Sequence, residues 1–453
     1  MARRLGGLSV SGLVQAGIVV AAFAANTLLH LAPPQWSSPA RVAEFAVLIP
    51  AVVIFVRLAL RLTPEGGRGR IWYRVGVVLV GVSTWLLYAG WLGPSRFLLG
   101  DGLTTTDFTL YLSQATVAAE FGWHHEYDAS AFMTVFRQLG IRHLDPRAPG
   151  YSLGPPIIPL IVYPFAFLSL AAAHVLWYAV NAAGLTVAMR LLWTRGHAGN
   201  SGLIGLLFLS PGVVFAFELG QMAVVMSIAV VVSWWLVRRG AEVWAGLVLV
   251  VLIAKPQLVF LLPFTLLAIG RWRVVAAWAA ASLALLIAAT VLITPSELFV
   301  LLRDIATAAQ GAAHYEVPSS LTLGGWLPRF VVLPATAAVV VLAVAAARRQ
   351  ATLEHGFALG FLASLIATPY IHVYDLVLLF VAGGLLLRTA LLEAEKVALM
   401  VSYVLVNVSA LFELQSVLPV EIAWLAWLAF RSKPALAPSQ QRPQSAEVPG
   451  TAV

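Results

Sequence analysis

Runs of roughly 17 to 25 apolar residues recur along the chain, separated by short clusters of arginine and lysine. Each run can cross a hydrocarbon core of about 30 Å as a helix, which satisfies its own backbone hydrogen bonds in lipid. Run length and flanking charge predict spans at 9–32, 42–62, 73–93, 172–193, 202–219, 222–237, 241–254, 257–270, 274–294, 331–347, 356–370, 375–390, 396–413 and 416–430. The pattern predicts an all-α polytopic integral membrane protein with about 12 to 14 transmembrane helices.

The basic clusters predict the topology. If Arg3 and Arg4 are cytoplasmic, the alternating spans bring nearly every later cluster of arginine or lysine to the same side, as the positive-inside rule describes. The long polar interval 94–171 and the 295–330 loop then face the extracytoplasmic side. We therefore expect a multi-pass protein of the plasma membrane, surrounded by lipid, with its polar loops outside.

The composition agrees with a membrane protein. Of the 453 residues, 60% are hydrophobic and 11% are charged, against about 25% charged in soluble domains. The formal net charge of +8 comes from clusters between spans, so it does not indicate nucleic-acid binding. The absence of cysteine rules out disulfides and thiolate metal sites. We predict two extra N-terminal spans in 1–71, a main module in 72–430 and a disordered cytoplasmic tail in 431–453.

Two apolar segments differ from simple spans. The segment 154–170 contains four prolines, and a full crossing there would break the alternation of charge, so we predict a juxtamembrane or re-entrant helix. The segment 241–270 consists of two apolar halves of about 13 residues each, which is short for a crossing. Arginines flank both outer ends. This pattern predicts a hairpin of short or broken helices with Lys255 at its tip.

The interval 94–171 holds six of the 20 acidic residues, which is unusual for a loop between spans. Asp107, Tyr111 and Gln114 share one face at helical spacing. Asp107 is either the cap of this helix or a catalytic base, and the neighbouring acidic and aromatic residues favour the base. Other candidates in the interval for contact with a substrate are Asp101, Tyr127 and Asp128.

Lys255 lies within an apolar run, where an unpaired charge costs about 3 kcal/mol or more. It therefore needs an anionic partner, either the phosphate of a ligand or a carboxylate such as Glu218 or Asp375. Gln221 follows a glycine at a tight turn, and His372 and Asp375 lie three residues apart at the outer end of a span. A simple turn and an interfacial aromatic belt are the structural alternatives for these residues.

A metal site is not expected. His124 and His125 could meet Glu126 or Asp128, but adjacent histidines point apart and the spacing is not diagnostic of a metal. No Asp-x-Asp sequence occurs, which argues against a nucleotide sugar held by Mg²⁺.

The motifs follow one another in a recognisable order: Asp107-Phe108-x-x-Tyr111, Tyr127-Asp128, the proline-rich helix, Gly220-Gln221, Gly246 with Lys255-Pro256-Gln257, and Thr368-Pro369-Tyr370-x-His372-x-Tyr374-Asp375. Over residues 75–415 this order resembles glycosyltransferase family 87. That family has the GT-C membrane fold and includes polyprenyl-phosphate-mannose-dependent mannosyltransferases. The chain departs from the family pattern in its two extra spans and in Tyr374-Asp375, where some members have a histidine pair.

The resemblance implies an inverting GT-C enzyme without a cofactor. It would move a hexose, mannose by family habit, from polyprenyl phosphate to a lipid or glycan acceptor outside the membrane, with Asp107 as general base. The implied donor-phosphate contacts are Lys255, Gln257 and Gln221, and the implied sugar or acceptor contacts are Tyr111, Tyr127, Asp128, Asp101, His372 and Asp375. The main alternative is a transporter or flippase of a lipid-linked or small anionic substrate, which predicts charges spread along a transmembrane path. A ligase of whole lipid-linked glycans would need more arginine in the outer loop.

Overall fold

The computed structural model describes residues 106–140, 154–192, 211–311, 321–350, 352–368, 371–389 and 417–430, with a few positions between 391 and 406. Every element in these ranges is helical, and no strand occurs among them. The α-helices are α1 (Asp107–Glu120), α2 (Ala129–Gln138), α3 (Ile157–Val162), α4 (Leu170–Leu192), α5 (Pro211–Glu218), α6 (Met222–Arg238), α7 (Glu242–Val248), α8 (Leu262–Ala268), α9 (Trp272–Leu292), α10 (Pro295–Gly311), α11 (Leu323–Trp326), α12 (Arg329–Gln350), α13 (Leu353–Ala367), α14 (Val377–Leu386) and α15 (Val417–Phe430). Short 3₁₀ helices lie at Trp123–His125, Tyr163–Phe165, Leu249–Ala254, Pro256–Leu258 and Val373–Leu376.

Among the described residues, three helices are long and apolar enough to cross a membrane: α4, α9, and α12 over Phe330–Arg349. Shorter apolar helices include α6, α13 and α15. The all-helical, apolar architecture is that of a membrane protein, as the sequence predicts. The count of about 12 to 14 spans and the sidedness of the loops stay predictions. The predicted spans in 1–71 and the tail 431–453 lie outside the described residues.

The segment 241–270 forms the predicted hairpin of short, broken helices. Helix α7 ends at Val248 and continues as 3₁₀ turns to Ala254, and Lys255 interrupts the helix with φ −140° and ψ 73°. The next residue, Pro256, has no N–H to continue the helical hydrogen bonds. At the opposite end of the hairpin, Arg271 Nη1 contacts Glu242 Oε1 at 2.9 Å. The hairpin is therefore closed at its base and opens its backbone at Lys255.

The segment 154–170 contains no helix long enough for a crossing. Helix α3 has six residues, a length of about 9 Å, and it passes into a single 3₁₀ turn at Tyr163–Phe165 before α4 begins. This geometry fits the predicted juxtamembrane or re-entrant helix.

The 295–330 segment differs from the expected loop, because it contains the 17-residue helix α10. Leu298 and Leu301 recur three residues apart on this helix. They pack with Tyr127 and with Ala289 and Ile293 near the end of α9. The sequence reading missed α10 because its apolar residues are too few to form a span.

The main core surrounds α13, which is buried along its whole length and packs against α8, α12, α14 and α15. A second, smaller core fixes α1 over the ends of α4 and α6. It contains Phe108, Leu112, Ile158, Trp177 and Met222, all almost completely buried. The acid-bearing helix α1 is therefore packed onto α4 and α6, although it belongs to the predicted loop interval.

Candidate active site

Helix α1 begins with a threonine cap that leaves Asp107 available. Thr106 is the N-cap residue, and its Oγ1 accepts a hydrogen bond from the Thr109 N–H at 3.3 Å. Thr106 and Thr109 also contact His174 Nε2 at 3.0 and 3.2 Å. The reading of Asp107 as the cap is therefore wrong. Asp107 is instead the first residue of α1, where a carboxylate interacts favourably with the positive end of the helix.

The start of α1 is fixed against the turn that carries Gln221. The Phe108 N–H donates to the Leu219 carbonyl at 3.1 Å, and the Phe108 ring stacks on Trp177 with centroids 4.8 Å apart. The Trp177 indole N–H donates to the Gly220 carbonyl at 3.2 Å. Gly220 has φ +65°, and a Cβ there would lie 2.5 Å from Phe108 Cβ. Glycine thus permits both the turn and the close approach of α1.

Residues from α1, α6, the hairpin tip and the start of α14 meet around Gln221. Its Oε1 accepts hydrogen bonds from the Tyr111 hydroxyl at 3.2 Å and from Lys255 Nζ at 2.9 Å. Lys255 Nζ also contacts Asp375 Oδ1 at 2.9 Å. It lies 4.7 Å from the ring centroid of Tyr374, in cation–π range. The motifs that carry these residues are distant in sequence and converge at one place.

The electrostatics of this cluster act on Asp107. Burial raises the pKa of Asp107 to about 6, the positive charge of Lys255 opposes this rise, and the negative charge of Asp375 adds to it. A carboxyl with this pKa is largely ionised at neutral pH and still basic enough to accept a proton, which suits a general base.

Lys255 has a protein carboxylate as its partner, and that partner is Asp375. The ion pair is buried, with 15% of the Lys255 side chain and 3% of the Asp375 side chain exposed. Asp375 Oδ2 in turn accepts the His372 N–H at 3.0 Å, and the His372 ring stacks on Tyr374. Two of the three ammonium N–H groups of Lys255 are used by Gln221 and Asp375, so one remains for a ligand.

Several predicted contact residues have other roles or positions. Asp128 is the N-cap of α2 and accepts from the Ser130 N–H at 2.7 Å. The Tyr127 hydroxyl donates to the Gly154 carbonyl at 2.9 Å. No hydrogen bond in the described part of the chain joins Gln257 to the cluster. Asp101 lies outside the described residues, as does the side chain of Glu218.

Other buried polar residues near this region were not singled out from the sequence. Tyr374 was quoted only as part of a motif, although its ring contacts Lys255. Glu126 is completely buried beside Tyr127. Burial raises the pKa of Glu126 to about 8, the contact with Tyr127 opposes this rise, and the negative charge of Glu297 adds to it. Nothing in the one-dimensional pattern distinguishes Glu126 from a solvated acid. Within the described ranges, no group of three His, Asp or Glu side chains could hold a metal ion.

Comparison with known protein families gives one similarity. The model of glycosyltransferase family 87 matches residues 153–369, slightly less than half of the chain. This is a GT-C-type family, and the match supports a membrane glycosyltransferase. The matched region contains Gln221 and Lys255, whereas Asp107 precedes it and Asp375 follows it. No curated protein and no solved structure matches the chain.

Proposed function

We propose that this protein is a family 87 glycosyltransferase, which moves a hexose from a polyprenyl-phosphate sugar to a hydroxyl group of a lipid or glycan acceptor, on the extracytoplasmic face of the plasma membrane and with inversion. The observation that carries the proposal is the pair of hydrogen bonds on Gln221 Oε1, from Tyr111 and from Lys255. They join the face of α1 that bears Asp107 to the cationic tip of the hairpin.

Asp107 is the general base. Its carboxylate accepts the proton of the acceptor hydroxyl as that oxygen forms a bond to the anomeric carbon. The bond from the anomeric carbon to the phosphate oxygen breaks, and its electron pair leaves with the polyprenyl phosphate. A single displacement of this kind inverts the anomeric configuration, and it needs one base beside the acceptor.

Lys255 and the adjacent helix ends stabilise the leaving phosphate. Lys255 has one ammonium N–H beyond its contacts with Gln221 and Asp375, and a charge-assisted hydrogen bond is stronger than a neutral one. The N-terminus of α6 begins next to Gln221, whose own side chain does not cap it. Such an end carries about half a positive charge and favours an anion. These features support binding of the donor phosphate near Lys255. Mannose is the first hexose to test.

The test incubates proteoliposomes of the purified enzyme with radiolabelled polyprenyl-phosphate mannose or glucose and a lipid extract as acceptor. We expect a labelled glycolipid or glycan of inverted anomeric configuration, formed with acceptor added only to the extracytoplasmic side. Asp107→Asn should abolish transfer. Asp128→Asn is the matched control, because Asp128 caps α2 and asparagine caps equally well.

Normal transfer by Asp107→Asn would refute the role of Asp107. Movement of the labelled lipid across the bilayer without a new glycoside would instead favour the transporter.

A further inference from the structure

Gln114 is a buried amide whose donor group binds no partner in the part of the chain that the structure describes. Its side chain is 2% exposed, and Nε2 has no hydrogen-bond partner among the described residues. A buried donor left without a partner destabilises the folded protein, because it has lost its hydrogen bonds to water. Such groups are uncommon in native proteins and call for an explanation.

Gln114 lies on the face of α1 that carries the proposed base. Asp107, Tyr111 and Gln114 follow at intervals of four and three residues, which places them in one row along the helix. Seven residues correspond to about 10 Å of helix. The N-terminal end of this row is at Leu219, Gln221 and Lys255. Gln114 is therefore at the end of the row away from the proposed phosphate site.

The glycine at position 154 lets the backbone approach the Gln114 amide closely. A Cβ on Gly154 would lie 2.9 Å from Gln114 Oε1 and 3.2 Å from Ile158 Cδ1. The Gly154 carbonyl is held by the Tyr127 hydroxyl at 2.9 Å. Tyr127 is thus a positioning residue that holds the backbone at Gly154, with Gln114 packed against that glycine.

We propose that Gln114 is a specificity-determining residue, whose amide N–H binds an oxygen of the acceptor about 10 Å from the reacting hydroxyl. This inference rests on the proposed function and names the acceptor class: a glycoside with at least one polar group beyond the ring that reacts. A one-ring glycoside does not reach Gln114, and a two-ring glycoside does. The reaction that supplies the acceptor is then an earlier glycosylation.

The test compares an octyl monosaccharide with the corresponding octyl disaccharide as acceptors. Gln114→Met keeps the length of the side chain and removes the donor. We expect it to raise KM for the disaccharide about tenfold, with KM for the monosaccharide and for the donor unchanged. Gly154→Ala displaces the Gln114 amide and should also raise KM for the disaccharide. Thr116→Val is the control, because Thr116 lies on the opposite face of α1 and its hydroxyl already donates to the Leu112 carbonyl.

Two further measurements distinguish loss of acceptor binding from loss of catalysis or of stability. Disaccharide binding to the purified enzyme in nanodiscs, measured by calorimetry, tests Gln114 without turnover, and we expect about tenfold weaker binding for Gln114→Met. Since Met removes a buried unpaired donor, the melting temperature of this variant should not fall. Equal binding of the disaccharide by wild type and Gln114→Met, or equal losses with both acceptors, would overturn the inference. Absence of transfer by the wild type, with binding selectivity intact, would overturn the proposed function alone.

Discussion

The ionisation of Asp107 predicts a pH profile with an acid limb near neutrality. Its pKa of about 6 compares with about 3.9 for an ordinary aspartate, so ionisation costs roughly 3 kcal/mol more than in water. A base with this pKa is about one-tenth ionised at pH 5 and about nine-tenths ionised at pH 7. The value of kcat/KM for the acceptor should therefore rise about tenfold between these pH values. It is measured in proteoliposomes from initial rates at acceptor concentrations below KM.

A charge change at Asp375 tests the origin of that limb. The negative charge of Asp375 raises the pKa of Asp107, so Asp375→Asn should move the acid limb to lower pH, although the maximal rate falls because Lys255 loses its ion-pair partner. Asp128→Asn should leave the limb in place, because Asp128 caps α2 and is not among the charges that shift the pKa of Asp107. A profile that is flat between pH 5 and 7, or a limb that Asp375→Asn does not move, would refute the assignment of Asp107 as the base.

Three further predictions follow from single contacts. In steady-state kinetics, Lys255→Ala should raise KM for the donor at least tenfold and KM for the acceptor by less. Equal increases in the two KM values would exclude a contact between Lys255 and the donor phosphate. Gly220→Ala should lower the free energy of unfolding by about 2–3 kcal/mol, because it combines left-handed backbone strain with a steric clash at Phe108. Gly240→Ala is the control with backbone strain alone, since nothing lies within 4 Å of a Cβ there. Equal unfolding midpoints for the two variants would contradict the clash with Phe108. The raised pKa of Glu126 implies a contribution to the free energy of unfolding that is complete below about pH 4.5 and is lost as pH rises through about 8, by at most about 5 kcal/mol. Glu126→Gln should therefore make the melting temperature less dependent on pH over this range. An unchanged pH dependence of the melting temperature would exclude Glu126 as its source.

Much of the fold follows from run length and charge. Apolar runs around 172–193, 274–294 and 331–347 became long apolar helices, because a continuous apolar segment has one way to satisfy its backbone in lipid. Half-length runs around Pro256 became the broken hairpin. Helix α10 was missed because its stability comes from packing on Tyr127 and on the end of α9. Contacts of this kind depend on which loops lie together, and one sequence does not contain that information.

The sequence predicted the position of an individual site residue only where a short motif determines the local backbone geometry. The anionic partner of Lys255 was left open between Glu218 and Asp375, because run lengths do not say which helix ends meet. Gln257 was assigned to the donor phosphate by the family resemblance. No hydrogen bond in the described part of the chain joins it to Gln221 or Lys255, so its role stays a prediction.

The residues proposed for catalysis and phosphate binding lie where helices begin, and the bilayer offers a physical reason. Asp107 is the first residue of α1, Gln221 immediately precedes α6, and Asp375 lies in the 3₁₀ turn that leads into α14. Within a span the backbone is saturated by its own hydrogen bonds, so unpaired N–H groups are available only at helix ends or breaks. The positive ends of these helices converge on Lys255, whose ion pair with Asp375 is neutral overall. An anionic phosphate placed there meets several partial positive charges besides the lysine, which compensates for the charge that Asp375 cancels.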